Sequence, residues 1–129
     1  MLVRNKYQSL DFKLVDTQGR EFRIVKEGWL YMGRNPELAD VVVDSDRSVS
    51  DLHVALSARG DHVLAQFYHY GDSYIDGRKV QSSPMNPDRT SAYRRKGSRQ
   101  IPAISKRIYP GSELGIGNDT QHSYRIVAG

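Results

Sequence analysis

The chain has 129 residues, of which 38% are hydrophobic and 26% charged, and it contains no cysteine. This length is typical of one domain, and the absence of cysteine excludes disulfide scaffolds, cysteine-ligated zinc, iron–sulfur clusters and thiol chemistry. No apolar run approaches the ~18 residues of a membrane span, and the first ten residues lack the apolar stretch of a signal peptide. We therefore expect a single domain over residues 1–129 that does not insert into a membrane and that works inside the cell, in the cytoplasm or the nucleus.

Short runs of alternating apolar and polar residues recur along the chain, with turn residues between them. The predicted strands are, in chain order, Leu10–Leu14, Phe22–Ile24, Trp29–Met32, Val41–Val43, His53–Ser57, His62–Tyr68, Glu113–Ile116 and His122–Val127. No stretch longer than ten residues repeats its apolar positions at helical spacing. Many short strands with regular turns predict an all-β sandwich or barrel.

Residues 81–107 differ from the rest of the chain in composition and charge. They hold seven basic residues against one acidic residue, whereas the whole chain carries a net charge of only +4. Prolines, serines and clustered arginines bury too little surface to offset the entropy of ordering. We expect a flexible basic loop over 81–107, inserted between core segments of about 10–80 and 108–127. The main interpretation is a solvated insertion; the alternatives are steering of acidic or phosphorylated partners, and direct binding of nucleic acid.

Four motifs follow one another on this all-β background. They are Gly33-Arg34, Ser50-x-x-His53, a turn at Asp76-Gly77, and the stretch Pro110-Gly111-Ser112-Glu113-Leu114-Gly115-Ile116-Gly117. This order resembles the forkhead-associated (FHA) domain family, which has a Gly-Arg pair, Ser-x-x-His, a turn ending in Asn-Gly and a late Gly-Asp-x-Ile-x-Ile-Gly strand. The resemblance covers nearly the whole chain, from Phe22 to Val127.

The resemblance implies an FHA-type β-sandwich of two antiparallel sheets, whose loops at one end bind phosphothreonine peptides. It implies that Arg34 contacts the phosphate and that Ser50 donates its hydroxyl to it. It also implies structural roles for the Gly33, His53, Asp76 and Gly77 positions. The chemistry is consistent, because a phosphate dianion is bound well by a guanidinium and a small hydroxyl donor on rigid loops. We expect Gly33 to let the backbone turn tightly before Arg34.

Two stretches depart from the family pattern. Asp51 stands where family members often carry an arginine, and its carboxylate repels a phosphate unless it points away or is neutralised. Arg47 and Ser48, in the same loop, are candidate replacement donors. The asparagine that usually holds the peptide backbone is replaced in the segment Tyr70, Gly71, Asp72, which we expect to line the neighbouring peptide surface.

We predict a phosphothreonine-dependent protein–protein recognition module whose partner is a phosphorylated protein segment, with no enzyme activity, no cofactor and no metal. Ser50, Asp51 and His53 lie within one turn and strand start, so they cannot form a relayed hydrolase triad. The four histidines show no paired spacing for zinc, and the near-neutral remainder of the chain argues against a nucleic-acid face. The alternative function is an FHA-like domain with a degenerate phosphate site, acting as a phospho-independent scaffold or by self-association.

Overall fold

The structure, a computed structural model, describes residues 11–43, 48–68, 73–80, 104–117 and 122–129. Within these ranges there are eleven strands and no helix, so the predicted all-β class is confirmed. The strands are β1 Phe12–Asp16, β2 Glu21–Ile24, β3 Leu30–Gly33, β4 Val41–Val42, β5 Val54–Arg59, β6 His62–Phe67, β7 Ser73–Ile75, β8 Arg78–Lys79, β9 Ile104–Ile108, β10 Glu113–Ile116 and β11 Ser123–Ala128. The same ranges contain no helix able to cross a membrane.

The strands form two sheets packed as a sandwich. One sheet has six strands in the order β2-β1-β11-β10-β7-β8, and the other has five in the order β4-β3-β5-β6-β9. Every described pair is antiparallel except β3 and β4, which run parallel. This exception arises because the chain leaves β3 at Gly33 and returns so that Val41 lies opposite Met32. The predicted sandwich of two antiparallel sheets therefore holds apart from one two-residue edge strand.

The core lies between the two sheets, and the alternating sequence pattern explains why. In β1, Phe12 and Leu14 are fully buried while Lys13 between them is half-buried. In β6 the same two-residue period buries alternate side chains, because successive residues of a strand point to opposite faces. Most of the buried hydrophobic residues form one cluster that takes side chains from both sheets. A single core of this kind holds the connecting loops in fixed positions relative to one another.

Strand β5 is buried on both of its faces, which fixes the loop that precedes it. Val54 and Leu56 point into the main core. On the other face, Ala55 belongs to a second small cluster with Leu52 and Tyr68. Residues immediately before β5 are therefore anchored by packing as well as by hydrogen bonds.

Strand β9 lies partly inside the segment predicted to be an inserted loop. Ile104–Ile108 pairs with β6, with Ile104 opposite Phe67 and Ile108 opposite Val63, so the predicted boundary at residue 107 is wrong. The reason is that β9 is an edge strand with three consecutive exposed residues, so its sequence lacks the alternation of a half-buried strand. The rest of the predicted insertion, residues 81–103, lies outside the described residues.

The burial of Tyr124 on β11 predicts how the stability of the fold changes at alkaline pH. Its side chain is 6% exposed, and burial raises its pKa above the usual value of 10.0; the nearby Asp16 carboxylate adds to this rise and Arg20 opposes it. The folded protein thus holds this proton more tightly than the unfolded chain does. The contribution of Tyr124 to the free energy of unfolding is fully present below about pH 10. It is lost as the pH rises through the folded-state pKa.

We expect the Tyr124→Phe variant to lose less stability than the parent on going from about pH 9 to about pH 11.5. Urea unfolding at a series of pH values measures this difference. Parallel losses in the two proteins would show that Tyr124 does not contribute to alkaline unfolding.

Candidate functional site

Two loops meet at the end of β3, where the sequence places its Gly-Arg motif. The Arg34 N–H donates to the Ser50 carbonyl (2.9 Å), and the Asn35 N–H donates to the Asp51 carbonyl (3.3 Å). The loop that follows β3 is thereby joined, main chain to main chain, to the loop that precedes β5. The two residues predicted to bind phosphate, Arg34 and Ser50, are brought together by this pairing.

A glycine is required at position 33 because the backbone of another loop lies close to it, and not because its own backbone angles are unusual. A Cβ atom at Gly33 would lie 2.2 Å from the Asp51 carbonyl oxygen and 2.9 Å from the Leu52 Cα. Gly33 is not among the residues with positive φ in the described chain. The expected tight turn is therefore not the reason for glycine here. Glycine is needed because the two loops touch at this point.

His53 is fully buried and joins two parts of the site. Its Nδ1 accepts a hydrogen bond from the Ser50 N–H (3.1 Å), and its Nε2 lies 2.9 Å from the Ser73 hydroxyl oxygen. Because Nδ1 accepts, the proton of the neutral ring sits on Nε2, which donates to Ser73. The ring thus ties the loop before β5 to the first residue of β7, which directly follows residues 69–72.

The main chain of His53 is held as firmly as its ring. Its N–H donates to the Met32 carbonyl (2.8 Å), and its carbonyl accepts from the Tyr68 N–H (3.0 Å). These bonds link the residue to the strands on either side of β5. His53 therefore shapes the loop that carries Ser50 and does not contact solvent.

Arg34 presents a partly exposed guanidinium whose Nε has no acceptor within the described part of the chain. Its side chain is 41% exposed, while its Nε is buried and has no hydrogen-bond partner among the residues that the structure describes. A buried donor without an acceptor destabilises the protein, so binding of a ligand that provides an acceptor is favoured. The Asp51 carboxylate is a counter-charge nearby, with 3.9 Å between Arg34 Nη2 and Asp51 Oδ1. At that distance the two groups form an ion pair, but they are too far apart for a hydrogen bond.

Both main-chain polar groups of Ser50 are hydrogen-bonded, whereas its hydroxyl has no partner among the described residues. Its carbonyl accepts from Arg34 and its N–H donates to His53, and within the described residues its hydroxyl has no partner. Ser48 lies in the same loop and is half-buried. Arg47, predicted as a further donor, and Tyr70, Gly71 and Asp72, predicted to line the peptide surface, lie outside the described residues.

The Asp76–Gly77 turn lies at the other end of β7 from Ser73 and is a structural feature. Asp76 and Gly77 both have positive φ, 52° and 82°, as the two-residue turn of the β7–β8 hairpin requires. The Asp76 carboxylate accepts hydrogen bonds from the Ser112 hydroxyl (3.0 Å) and the Glu113 N–H (2.9 Å). These bonds fasten the hairpin turn to the start of β10.

Two partners in this site could not be read from the sequence. Ser73, 2% exposed, is the buried partner of His53 across 20 positions of sequence. Asp51 is the ion-pair partner of Arg34, whereas the sequence indicates only that it stands where an arginine is common. No local pattern marks either contact, because each joins residues from different strands or loops. Among the described residues there is also no group of three or more histidine or acidic side chains that could hold a metal ion.

The fold agrees with that of solved structures, although comparison of the sequence finds no match. No protein-family model and no curated protein matches the sequence. The FHA domain of the CT664 protein from Chlamydia trachomatis superposes with a TM-score of 0.61 at 17% identity, covering 92% of this chain and 95% of that one. The chain has the FHA fold.

Two further FHA structures were solved with phosphothreonine peptides bound. The N-terminal FHA domain of Rad53p from S. cerevisiae matches with a TM-score of 0.64 at 14% identity, covering 92% of this chain and 94% of that one. The MEK1 FHA domain, in complex with a HOP1 phosphothreonine peptide, matches with a TM-score of 0.61 at 11% identity, covering 90% and 94%. The FHA fold that the four motifs predicted is thus confirmed.

Proposed function

We propose that this domain captures phosphothreonine-containing protein segments at the junction of the two loops, with Arg34 and Ser50 binding the phosphate. The observation that carries the proposal is the Arg34 guanidinium, whose buried Nε has no acceptor among the described residues. A main-chain hydrogen bond places Arg34 next to Ser50. A phosphate supplies several strong acceptors and a counter-charge for this group.

The Ser50 hydroxyl complements the guanidinium. It is a short, neutral donor next to Arg34, on a loop that His53 and the packing of β5 hold in place. Rigid placement of donors lowers the cost of binding, because little conformational freedom is lost when the anion arrives. Structures that share this fold at 11–14% identity, the MEK1 and Rad53p domains, hold phosphothreonine peptides, which supports the same ligand class here.

The remaining predicted residues complete the proposal. Arg47 and Ser48 would add donors from the loop before β5, and Tyr70, Gly71 and Asp72 would line the peptide on the side of β7. The role is recognition of a modified protein, so it requires neither catalysis nor a cofactor.

We expect the Arg34→Ala variant to bind a phosphothreonine peptide more weakly by about 1.5–3 kcal/mol, because its charged hydrogen bonds to phosphate are lost. Fluorescence polarisation with a degenerate phosphothreonine peptide library, against matched unphosphorylated and phosphoserine libraries, measures the effect. Arg23→Ala is the matched control, since it removes one exposed arginine from β2 in the other sheet. Unchanged binding by Arg34→Ala would remove Arg34 from the phosphate site.

A second function is favoured by one specific observation, the Asp51 carboxylate beside Arg34. A carboxylate there opposes a phosphate, so the domain could instead serve as a phospho-independent scaffold or oligomerisation module. Under this alternative, no phosphorylated library binds, and light scattering shows self-association that Arg34→Ala does not change.

A further inference from the structure

Asp51 and Arg34 are placed next to each other by the backbone and not by attraction between their side chains. The Arg34 N–H bonds to the Ser50 carbonyl, and the Asn35 N–H bonds to the Asp51 carbonyl. Gly33 allows this approach, because the Asp51 carbonyl occupies the space that a Cβ would need. The main chain of Asp51 therefore stays beside that of Arg34 whether or not a ligand is bound, and the Asp51 carboxylate remains a near neighbour of any anion that binds Arg34.

The ion pair itself is weak. Both side chains are well exposed, at 41% for Arg34 and 61% for Asp51, and the closest nitrogen and oxygen are 3.9 Å apart. Exposed pairs of this kind contribute little to folding. The pair also leaves the buried Nε of Arg34 without an acceptor in the described part of the chain. An anion that can hydrogen-bond to the guanidinium would therefore displace the Asp51 carboxylate.

A phosphate that binds Arg34 is repelled by the neighbouring Asp51 carboxylate. A phosphorylated side chain carries a charge of about −1.5 to −2 at neutral pH, so its repulsion from Asp51 exceeds that of a singly charged ligand. The pairing of Asp51 with Arg34 in the free domain adds a second cost, because this contact is given up on binding. Both effects act in the same direction.

We propose that Asp51 is an affinity-setting residue, an internal anion that pairs with Arg34 in the free domain and weakens the binding of phosphothreonine. This inference rests on the proposed function, since it concerns the ligand of the same site. Asp51 is not a binding residue in this account. Its charge lowers the affinity of a site that Arg34 and Ser50 form.

The test compares Asp51→Asn with the parent. We expect Asp51→Asn to bind the degenerate phosphothreonine library about tenfold more tightly at low salt, equivalent to about 1.4 kcal/mol. The gain should shrink between about 0.05 M and about 1 M salt, because exposed charges are screened. A change in loop structure would not show this salt dependence.

Glu27→Gln is the matched control. It also removes one exposed negative charge, but Glu27 precedes β3 whereas Arg34 follows it, so the two lie at opposite ends of this strand. We expect its affinity to equal that of the parent. An equal gain in Glu27→Gln and Asp51→Asn would reduce the effect to net charge and overturn the inference.

The remaining outcomes separate this inference from the proposed function. If the parent binds and Asp51→Asn binds equally or more weakly, the inference is wrong and the proposed function stands. If no protein binds the peptides, the proposed function fails, and the Arg34 Nε–H resonance is followed by NMR during titration with inorganic phosphate. A shift at lower phosphate concentration in Asp51→Asn than in the parent then supports the inference, whereas identical titrations or no shift overturn it.

Discussion

The His53→Ala variant is expected to be less stable than the parent by about 3 kcal/mol. The ring is fully buried, so its removal leaves a cavity in the sandwich. It also removes the hydrogen bonds that the His53 ring makes with the Ser50 N–H and the Ser73 hydroxyl. Urea unfolding of the variant and the parent measures the difference.

A local readout separates the hydrogen-bonding role of His53 from simple packing. Loss of the acceptor at Nδ1 should speed hydrogen exchange of the Ser50 amide more than exchange of amides in the distant strand β1. His62→Ala is the matched control, because its ring bonds to the exposed Asp61 and lies on the surface side of β6. We expect that variant to lose about 1 kcal/mol or less. An unchanged Ser50 exchange rate in His53→Ala would show that the ring does not hold this loop.

The Gly33→Ala variant is expected to lose about 2–3 kcal/mol of stability. The added methyl would meet the Asp51 carbonyl oxygen at 2.2 Å, and this obstructing atom belongs to the backbone, so no change of rotamer relieves the clash. The two loops must separate, which stretches the Arg34–Ser50 and Asn35–Asp51 hydrogen bonds. Denaturant unfolding gives the loss of stability.

Gly115→Ala is the matched control for Gly33→Ala. Gly115 also lies in a strand, but a Cβ there would approach no closer than 3.5 Å to its neighbour Tyr74, an ordinary contact. Its stability is expected to stay within about 0.5 kcal/mol of the parent. Equal stabilities of the two alanine variants would be incompatible with the close approach of the loops at Gly33.

The two stability variants and the two binding variants address different levels of the same site. His53 and Gly33 hold the loops, so their substitution should lower stability first. Arg34 and Asp51 are partly or largely exposed, so their substitution should change ligand affinity with little effect on unfolding. Measuring unfolding and binding on all four variants distinguishes a damaged loop from an altered binding surface.

Most of the strands could be predicted because their pattern is local. Phe12 and Leu14 alternate with polar neighbours, and the period of two that results is imposed by the pleat of any strand with one buried face. Strand β9 could not be predicted in this way. Its residues Ser105, Lys106 and Arg107 are all exposed, and only pairing with β6 makes them a strand.

The same division applies to the candidate site. Arg34, Ser50 and His53 could be selected from sequence because they stand in a motif order that resembles a family. The contacts that define their roles were not accessible in that way. Ser73 on β7 meets His53 because the sandwich brings the two sheets together, and the Asp51 side chain meets Arg34 because two loops lie side by side.

The sequence by itself determined the all-β class, most strand positions, the Asp76–Gly77 turn and the resemblance to the FHA fold, since these depend on spacing and residue type along the chain. Only the tertiary structure decided that β9 is a strand, that Gly33 serves close approach, and that Asp51 pairs with Arg34. Each of these depends on atoms distant in sequence. Their proximity results from the packing of two sheets around one core, which no local pattern encodes.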